Sequence, residues 1–342
     1  MDFDYSTNQS KKRSLDENCH DEVDNEGIKI EALPLNPTAF NPAFPHIVEK
    51  IFDRFDRGSL RSCREVSKSW LENVDNRNIL WKKIVKDEGG NRVFQFACKN
   101  GHTKMLEMLF QKPIGFDIDY NAKGPCGWTA FHFSCLNGNL KIVEMIIRKS
   151  QEFNIELNAK DNIGQTAFNR ACMTVHLKIV EMIVTNSQDF NIELNTKDID
   201  GRTPFHWACM LGYSKMVEMI IRNSAQFNIE LNTKGLWGYT GFHWACRYEH
   251  SKIVEMIIKK SPNFNIELNA KDEDGQTAFH VASSYGNTKS LDIMIENSKI
   301  FGLDITLKDN NGRTGFQLAK QKQQTEVIKL IKRKMPSIAV EN

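Results

Sequence analysis

No stretch of 18 or more apolar residues occurs in this 342-residue chain, so a membrane-spanning helix is not expected. The opening MDFDYSTNQSKKRSLDENCHDEV contains no apolar run that could serve as a secretory signal. A dominant charge sign is missing too: 45 Lys and Arg stand against 43 Asp and Glu, leaving +2. No basic stripe runs through the repeated part of the chain, which argues against a nucleic-acid partner. Gly-x-x-x-x-Gly-Lys, Cys-x-x-Cys and His-Glu-x-x-His are all absent, so no phosphate loop, zinc pair or metalloprotease helix is assigned. The expectation is a non-enzyme with no catalytic residues, metal or cofactor, resident in the cytoplasm or nucleus. Lys11, Lys12 and Arg13 offer a short basic cluster for nuclear import, although three charges in a polar tail are more often only solvated.

What is present is repetition. Gly-x-Thr-x-Phe begins at Gly127, Gly164, Gly201, Gly238, Gly275 and Gly312, a step of 37 each time. Phe94, Ala97 and Cys98 fall in phase with Phe131, Ser134 and Cys135, which adds a degenerate copy in front. Strict self-similarity at this length signals a stacked array of about seven units. Five of the eight cysteines, Cys98, Cys135, Cys172, Cys209 and Cys246, share that step. Packed helices lie about 8–10 Å apart, beyond the reach of about 7 Å that a disulfide allows. These five therefore read as small buried thiols of an inner helix, suited to a reducing compartment.

Each unit can be parsed from its own residues. In the fourth, Asp198 to Gly201 is a turn, Thr203 and Pro204 are the cap and first turn of a helix, and Phe205, Ala208 and Cys209 mark its buried side. Gly212 ends that helix, and a second from near Ser214 carries Met216, Val217, Met219, Ile220 and Ile221. The expected fold class is all-α, a solenoid of helix pairs with protruding turns. Gly-x-Thr-Pro-Phe-His followed by Lys-Met-Val-Glu-Met-Ile-Ile resembles the ankyrin repeat, over residues 90–334. That family's usual unit is 33 residues, so four are added here, within strings such as Phe153–Asn158 and Phe227–Asn232. Their alternation of Phe, Ile and Leu with polar residues predicts a half-buried extended segment under the outer helices. His132, His206, His243 and His280 share one register with Asn169 and Gln317. The resemblance implies a hydrogen bond from that position to the next repeat, and Asn and Gln can mimic an imidazole donor and acceptor.

Ahead of the array, residues 1–41 read as an acidic leader without secondary structure. From residue 42 to 86, Ile47, Val48, Ile51, Phe52 and Phe55 form a helical apolar stripe that Gly58 breaks. A second short helix with Leu60, Cys63 and Val66 runs to Trp70, and a third element ends on Trp81 and Ile84. Phe44-Pro45, Val66-Ser67-Lys68-Ser69-Trp70 and Leu80-Trp81-Lys82 resemble an F-box, departing from its pattern at Phe44 and His46. The resemblance implies contact with a Skp-family adaptor of a cullin-based ubiquitin ligase. Candidate contacts are Phe44, Pro45, Ile47, Val48, Ile51, Phe52, Leu60, Val66 and Trp70, some of which must form the unit's own core. The alternative is a helical cap that only seals the first repeat. The join to the array is short and lacks a Gly/Ser linker, which predicts a fairly fixed orientation. Residues 335–342 read as a tail.

Letters that vary between copies are free to face a partner, and in ankyrin-like stacks those positions line the concave face. They supply the candidate substrate-binding set: Trp128, Phe133, Arg170, Arg202, Trp207, Met210, Trp237, Tyr239, Trp244, Arg247, Tyr248 and Tyr285. Trp, Tyr and Arg dominate binding hot spots, which centres the expectation on copies four and five. The rival reading is that Trp207 and Trp244 stack on each other to fill space. Two resemblances together imply a substrate receptor of a Skp–cullin–F-box ligase with a protein substrate. A scaffold or inhibitor that sequesters a partner, and an effector acting on another organism's proteins, remain as alternatives.

Overall fold

The computed structural model describes residues 90–111, 118–124 and 126–336. The expected leader, the F-box-like unit with all its adaptor-contact candidates from Phe44 to Trp70, and residues 337–342 lie outside the described residues. Among the described residues there are fourteen α-helices and no strand, arranged as seven pairs. Copy one is α1 (Gly90–Asn100) with α2 (Thr103–Phe110), and copy two is α3 (Ala130–Leu136) with α4 (Leu140–Lys149). Copy three follows with α5 (Ala167–Met173) and α6 (Leu177–Asn186), copy four with α7 (Pro204–Met210) and α8 (Ser214–Phe227). Copies five to seven are α9 (Gly241–Arg247) with α10 (Ser251–Phe264), α11 (Ala278–Tyr285) with α12 (Thr288–Phe301), and α13 (Gly315–Gln321) with α14 (Thr325–Lys334). Odd-numbered inner helices pack on inner helices of adjacent copies and outer on outer, giving the expected solenoid. None of the described helices is long and apolar enough to cross a membrane.

Most inner helices have only seven residues, too few to be stable alone in water. Their starts are fixed by Thr129, Thr166, Thr203, Thr240, Thr277 and Thr314, extended residues with φ between −83° and −90° that cap the helices as expected. Phe205, Ala208 and Cys209 of α7 and their equivalents are buried against neighbouring copies. Outer helices bury the Ile and Val stripe, for example Ile253, Val254, Ile257 and Ile258 of α10. The glycines that open each motif sit at φ +71° to +76°, a left-handed turn that a side chain would strain. The five in-register cysteines are buried and unbridged, and burial pushes the thiols of Cys135, Cys172 and Cys246 up.

In the strings that hold the four added residues the burial follows the predicted alternation but the backbone does not run extended: only two residues in each lie outside turns and bends, and Phe227 and Phe264 close α8 and α10. Ile155 and Leu157, Ile192 and Leu194, Ile229 and Leu231, Ile266 and Leu268 are all buried, with exposed Glu residues between them. Each segment follows a residue in left-handed backbone: Asn154, Asn191, Asn228 and Asn265, then Gly302. Asparagine then ties this edge together. Asn195 Nδ2 donates to the Asn228 carbonyl at 2.8 Å while its Oδ1 accepts from Glu230 N–H at 2.9 Å. Asn121, Asn158, Asn232 and Asn269 repeat both bonds to the following unit.

The histidine register forms a second ladder. Thr203 N–H donates to His206 Nδ1 at 3.0 Å, which leaves the proton on Nε2, and Nε2 donates to the Tyr239 carbonyl of the next copy at 2.9 Å. His132, His243 and His280 repeat the pattern on Gln165, Gln276 and Arg313. Asn169 accepts from Thr166 N–H in the same way but reaches a different carbonyl, that of Thr196, at 3.4 Å. Burial holds His132, His206 and His243 down to about 4, and lowers His280, so all four rings stay neutral when folded.

A histidine neutral when folded and ordinary when unfolded takes up its proton first in the unfolded chain. Stability is therefore lost as pH falls from about 6.5 towards 4, with a slope of about 1.4 kcal/mol per pH unit for each such ring. Thermal melts at pH 7 and pH 5 check this. Tm falls on acidification in the wild type, and His206→Asn, which copies Asn169, lowers Tm at pH 7 but shrinks its drop between the two pH values.

Candidate partner-binding surface

The variable positions lie on the inner-helix side of the array and in the turns beside it. Position by position, burial divides them. Trp128, Arg170, Arg202, Tyr239 and Trp244 are buried, with Trp244 at 0% exposure. Phe133, Trp207, Met210, Trp237 and Arg247 are half-buried. Only Tyr248 and Tyr285 of the twelve candidates are exposed, at 40% and 47%. The expectation of an open face through Trp244 and Tyr239 is corrected accordingly: the position after the His register is enclosed at Arg170, Trp244 and Val281 and half-buried at Phe133 and Trp207, and Tyr239, ahead of its helix, is enclosed as well. Those side chains support a surface without presenting one.

Two clusters result. In copies two and three, Trp128 meets the Phe133 ring edge-on at 5.3 Å, and the Arg170 guanidinium lies 4.6 Å over the Trp128 ring. Arg170 is also paired with Asp161 at 2.7 Å, with both side chains almost fully enclosed. The larger cluster spans copies four to six. Arg202 lies over both the Trp207 ring (5.0 Å) and the Trp244 ring (5.4 Å), so a guanidinium sits over both indoles and gives the pair a shared cation. Trp244 meets Trp237 at 5.9 Å, Tyr239 at 5.1 Å and Tyr248 at 6.0 Å. Arg247 lies over five rings, closest to Tyr285 at 4.6 Å and Trp237 at 5.1 Å. Burial, only partly offset by Arg247, keeps the Tyr239 phenol protonated well past its ordinary range. Cations over aromatic faces contribute about 0.5–2 kcal/mol each, more when desolvated. Met210 contributes its carbonyl, which faces His250 Nε2 at 2.9 Å.

The exposed part is a ridge of which Tyr248 and Tyr285 are among the candidates and Leu211 is not. Leu211, Tyr248 and Tyr285 stand one repeat apart at the ends of α7, α9 and α11, exposed by 37%, 40% and 47%. The same register holds Asn137 and Thr174 in copies two and three, so the apolar ridge is confined to copies four to six. The step of 37 already puts Leu211 in register with both tyrosines, so residue type and not position keeps it out of the set. Arg247 braces the ridge from beneath through Tyr248 and Tyr285. Exposed apolar groups aligned in this way mark an interaction surface.

The turns ahead of the inner helices vary too. Asp161, Asp198, Asp272 and Asp309 hold them by accepting two backbone N–H bonds each, for Asp198 from Asp200 and Arg202 at 3.0 and 2.9 Å. Copy five has Gly235 at that place and a 3-10 turn, Leu236–Gly238, in which Trp237 adopts φ 61°, ψ 17°. A bulky residue in left-handed backbone is a strained feature of the kind that collects at binding sites. Asp272 in copy six has Val281 where copies three and four offer Arg170 and Trp207, and burial raises its carboxyl to about 6.

Burial sorts what substitution should do. Trp244→Ala removes an enclosed side chain and is expected to cost about 3–5 kcal/mol, whereas Tyr248→Ala with Tyr285→Ala is expected to cost about 0.5 kcal/mol per site, as surface changes do. Chemical denaturation of both variants checks the division; equal losses would show the ridge to be core.

Known proteins bear on the whole chain. A family model for ankyrin repeats in sets of three copies matches residues 68–161, 94–194, 151–233, 191–268 and 242–341. A model for the F-box domain matches residues 42–82. No curated protein matches the chain. Among solved structures, the human ASB11 ankyrin repeat domain is similar with a TM-score of 0.52 at 16% identity, over 69% of this chain and 96% of that one. At that identity the likeness speaks for the fold alone. With repeat models covering most of its length, this chain belongs to the ankyrin-repeat family and carries an F-box domain ahead of its repeats.

Proposed function

We propose that the chain is the substrate-recognition subunit of a Skp–cullin–F-box ubiquitin ligase, acting in the cytoplasm or nucleus. The observation that carries this reading is the pairing in one chain of an F-box domain, residues 42–82, with an ankyrin array. Members of both families are typically interaction modules without catalysis of their own, so the chain's contribution is placement. The F-box engages a Skp-family adaptor through Phe44, Pro45, Ile47, Val48, Ile51, Phe52, Leu60, Val66 and Trp70, divided between contact and core. The repeats hold a protein substrate on the ridge of Leu211, Tyr248 and Tyr285, with Arg247 beneath and Trp207 and Trp237 at its margin. Holding the substrate on the same chain as the ligase adaptor replaces a bimolecular encounter with an intramolecular one, whose effective concentration can reach the millimolar range.

Purified Skp-family adaptor tests the ligase half. The wild type is expected to retain the adaptor, and Pro45→Ala with Ile51→Asp to weaken it about 30-fold or more, the effect of losing about 2 kcal/mol of hot-spot contact. An adaptor that ignores the wild type would sink the ligase reading and leave a scaffold that sequesters its partner.

A further inference from the structure

One carboxylate collects donors from two copies at two junctions of the array. Asp161 Oδ2 accepts from the Trp128 indole of copy two at 3.2 Å and from the Arg170 guanidinium of copy three at 3.2 and 2.7 Å. Asp198 Oδ2 accepts from the Gln165 amide of copy three at 3.5 Å and from the Trp207 indole of copy four at 3.1 Å. The rule is the same both times: the residue before Thr in one copy and the residue after the His register in the next share the acid of the turn between them. At the junction of copies four and five, those residues are Arg202 and Trp244, and the acid's place is taken by Gly235. Both donors are nevertheless retained. Arg202 Nε and Trp244 Nε1 are buried and have no hydrogen-bond acceptor, while Arg202 Nη1 is engaged by Asp200 at 3.0 Å.

Other features of this junction point the same way. Backbone N–H groups of Asn162, Ile199, Glu273 and Asn310 each bond the turn of the preceding copy at 3.0–3.1 Å, but the Leu236 N–H makes no such bond. The turn is held instead as a 3-10 element with Trp237 in left-handed backbone. Arg247, 5.6 Å from the centre of the Trp244 ring, adds a second cation and touches Tyr248 and Tyr285 of the ridge. A buried donor without an acceptor is costly, and a charged one more so. Two of them, converging by register on one missing carboxylate beside an exposed apolar ridge, describe a receptor for that group.

We propose that the junction of copies four and five binds the carboxylate of an Asp or Glu side chain supplied by the protein partner, seated as Asp161 and Asp198 are seated in the copies before it. This rests on the reading of the repeats as the partner-binding part of the chain. Arg202 Nε and Trp244 Nε1 are the two donors, and the partner's apolar residues flanking the acid lie along Leu211, Tyr248 and Tyr285. Because both donors are enclosed, the Leu236–Gly238 turn must give way as the acid enters. Its left-handed tryptophan makes it the segment with strain to release.

The test follows the indole N–H resonances of the full chain, with that of Trp244 assigned by its loss in Trp244→Phe. The probes are an acetylated, amidated peptide of three Ala-Glu pairs, the same peptide with Gln, and sodium acetate. The Glu peptide is expected to move the Trp244 resonance downfield in a saturable way, and the Gln peptide to leave it in place. Arg202→Gln, which copies Gln165 and Gln276 in the same register, is expected to weaken the response about tenfold or more, as loss of a charge-assisted bond does. Trp244→Phe keeps an aromatic ring and removes the donor, so peptide binding to it, followed on the neighbouring Trp237 indole resonance, should be weaker than in the wild type while the remaining indole resonances keep their folded dispersion. Neither variant relies on placing a side chain at Gly235, where a Cβ would meet the Gly201 carbonyl oxygen at 2.9 Å. An unmoved Trp244 resonance, an equal response to Gln, or an acetate response as strong as the peptide's would overturn the proposal. Should an authentic substrate keep its full affinity for the Arg202→Gln, Trp244→Phe chain, the carboxylate site falls while the receptor reading stands.

Discussion

Everything in the array depends on side chains that hydrogen-bond to the backbone of the next copy. A seven-residue helix cannot persist by itself, and a hydrophobic face that slides is not a fold. His206 on the Tyr239 carbonyl and Asn232 on both the carbonyl of Asn265 and the N–H of Glu267 set the register of copy five on copy four from two edges at once. Apolar burial supplies the attraction, and these directional bonds decide where it is spent. Stability in such a chain is a sum over units and their nearest-neighbour interfaces, which is why substitutions within one copy leave distant copies standing.

Much of this was legible in the letters. The step of 37 gave the number of copies, Thr203 and Pro204 marked a helix start to the residue, and the alternation from Phe227 to Asn232 marked Ile229 and Leu231 as buried, although Phe227 closes a helix and the run turns. The histidine bond came from resemblance, and the geometry agrees. The surface was read less well. Trp244 and Tyr239 look like contact residues because they are aromatic and vary between copies, but the helices and turns around them close over both, while Trp207 in the register of Trp244 stays half-buried. Composition cannot report that distance. Leu211 was passed over because leucine is not a hot-spot residue type, although its register with Tyr248 and Tyr285 was present in the sequence all along.

Variation between copies carries more than one kind of information. Some is tolerance, as where Asn169 or Gln317 serves in place of histidine and caps the same threonine. Some is compensation: Arg313 pairs with Asp309 of its own turn at 2.8 Å, where Trp128 reaches forward to the acid of the next copy. Copy five fits neither kind, since it drops the acid, keeps the donors and rebuilds the turn around Trp237. A departure that Asp200 compensates only in part, leaving Arg202 Nε and Trp244 Nε1 unmatched, is where partner recognition has room to act.

The same departure has a mechanical side. Uniform repeat arrays lose units from their ends, because an end copy has one neighbour instead of two. Here the fourth and fifth copies are joined without the shared carboxylate and without the inter-turn backbone bond that the Ile199 N–H makes one copy earlier. The Leu236–Gly238 turn is therefore tied to the turn before it by fewer backbone hydrogen bonds than the turns of copies four and six, and aromatic and cationic side chains hold its place instead.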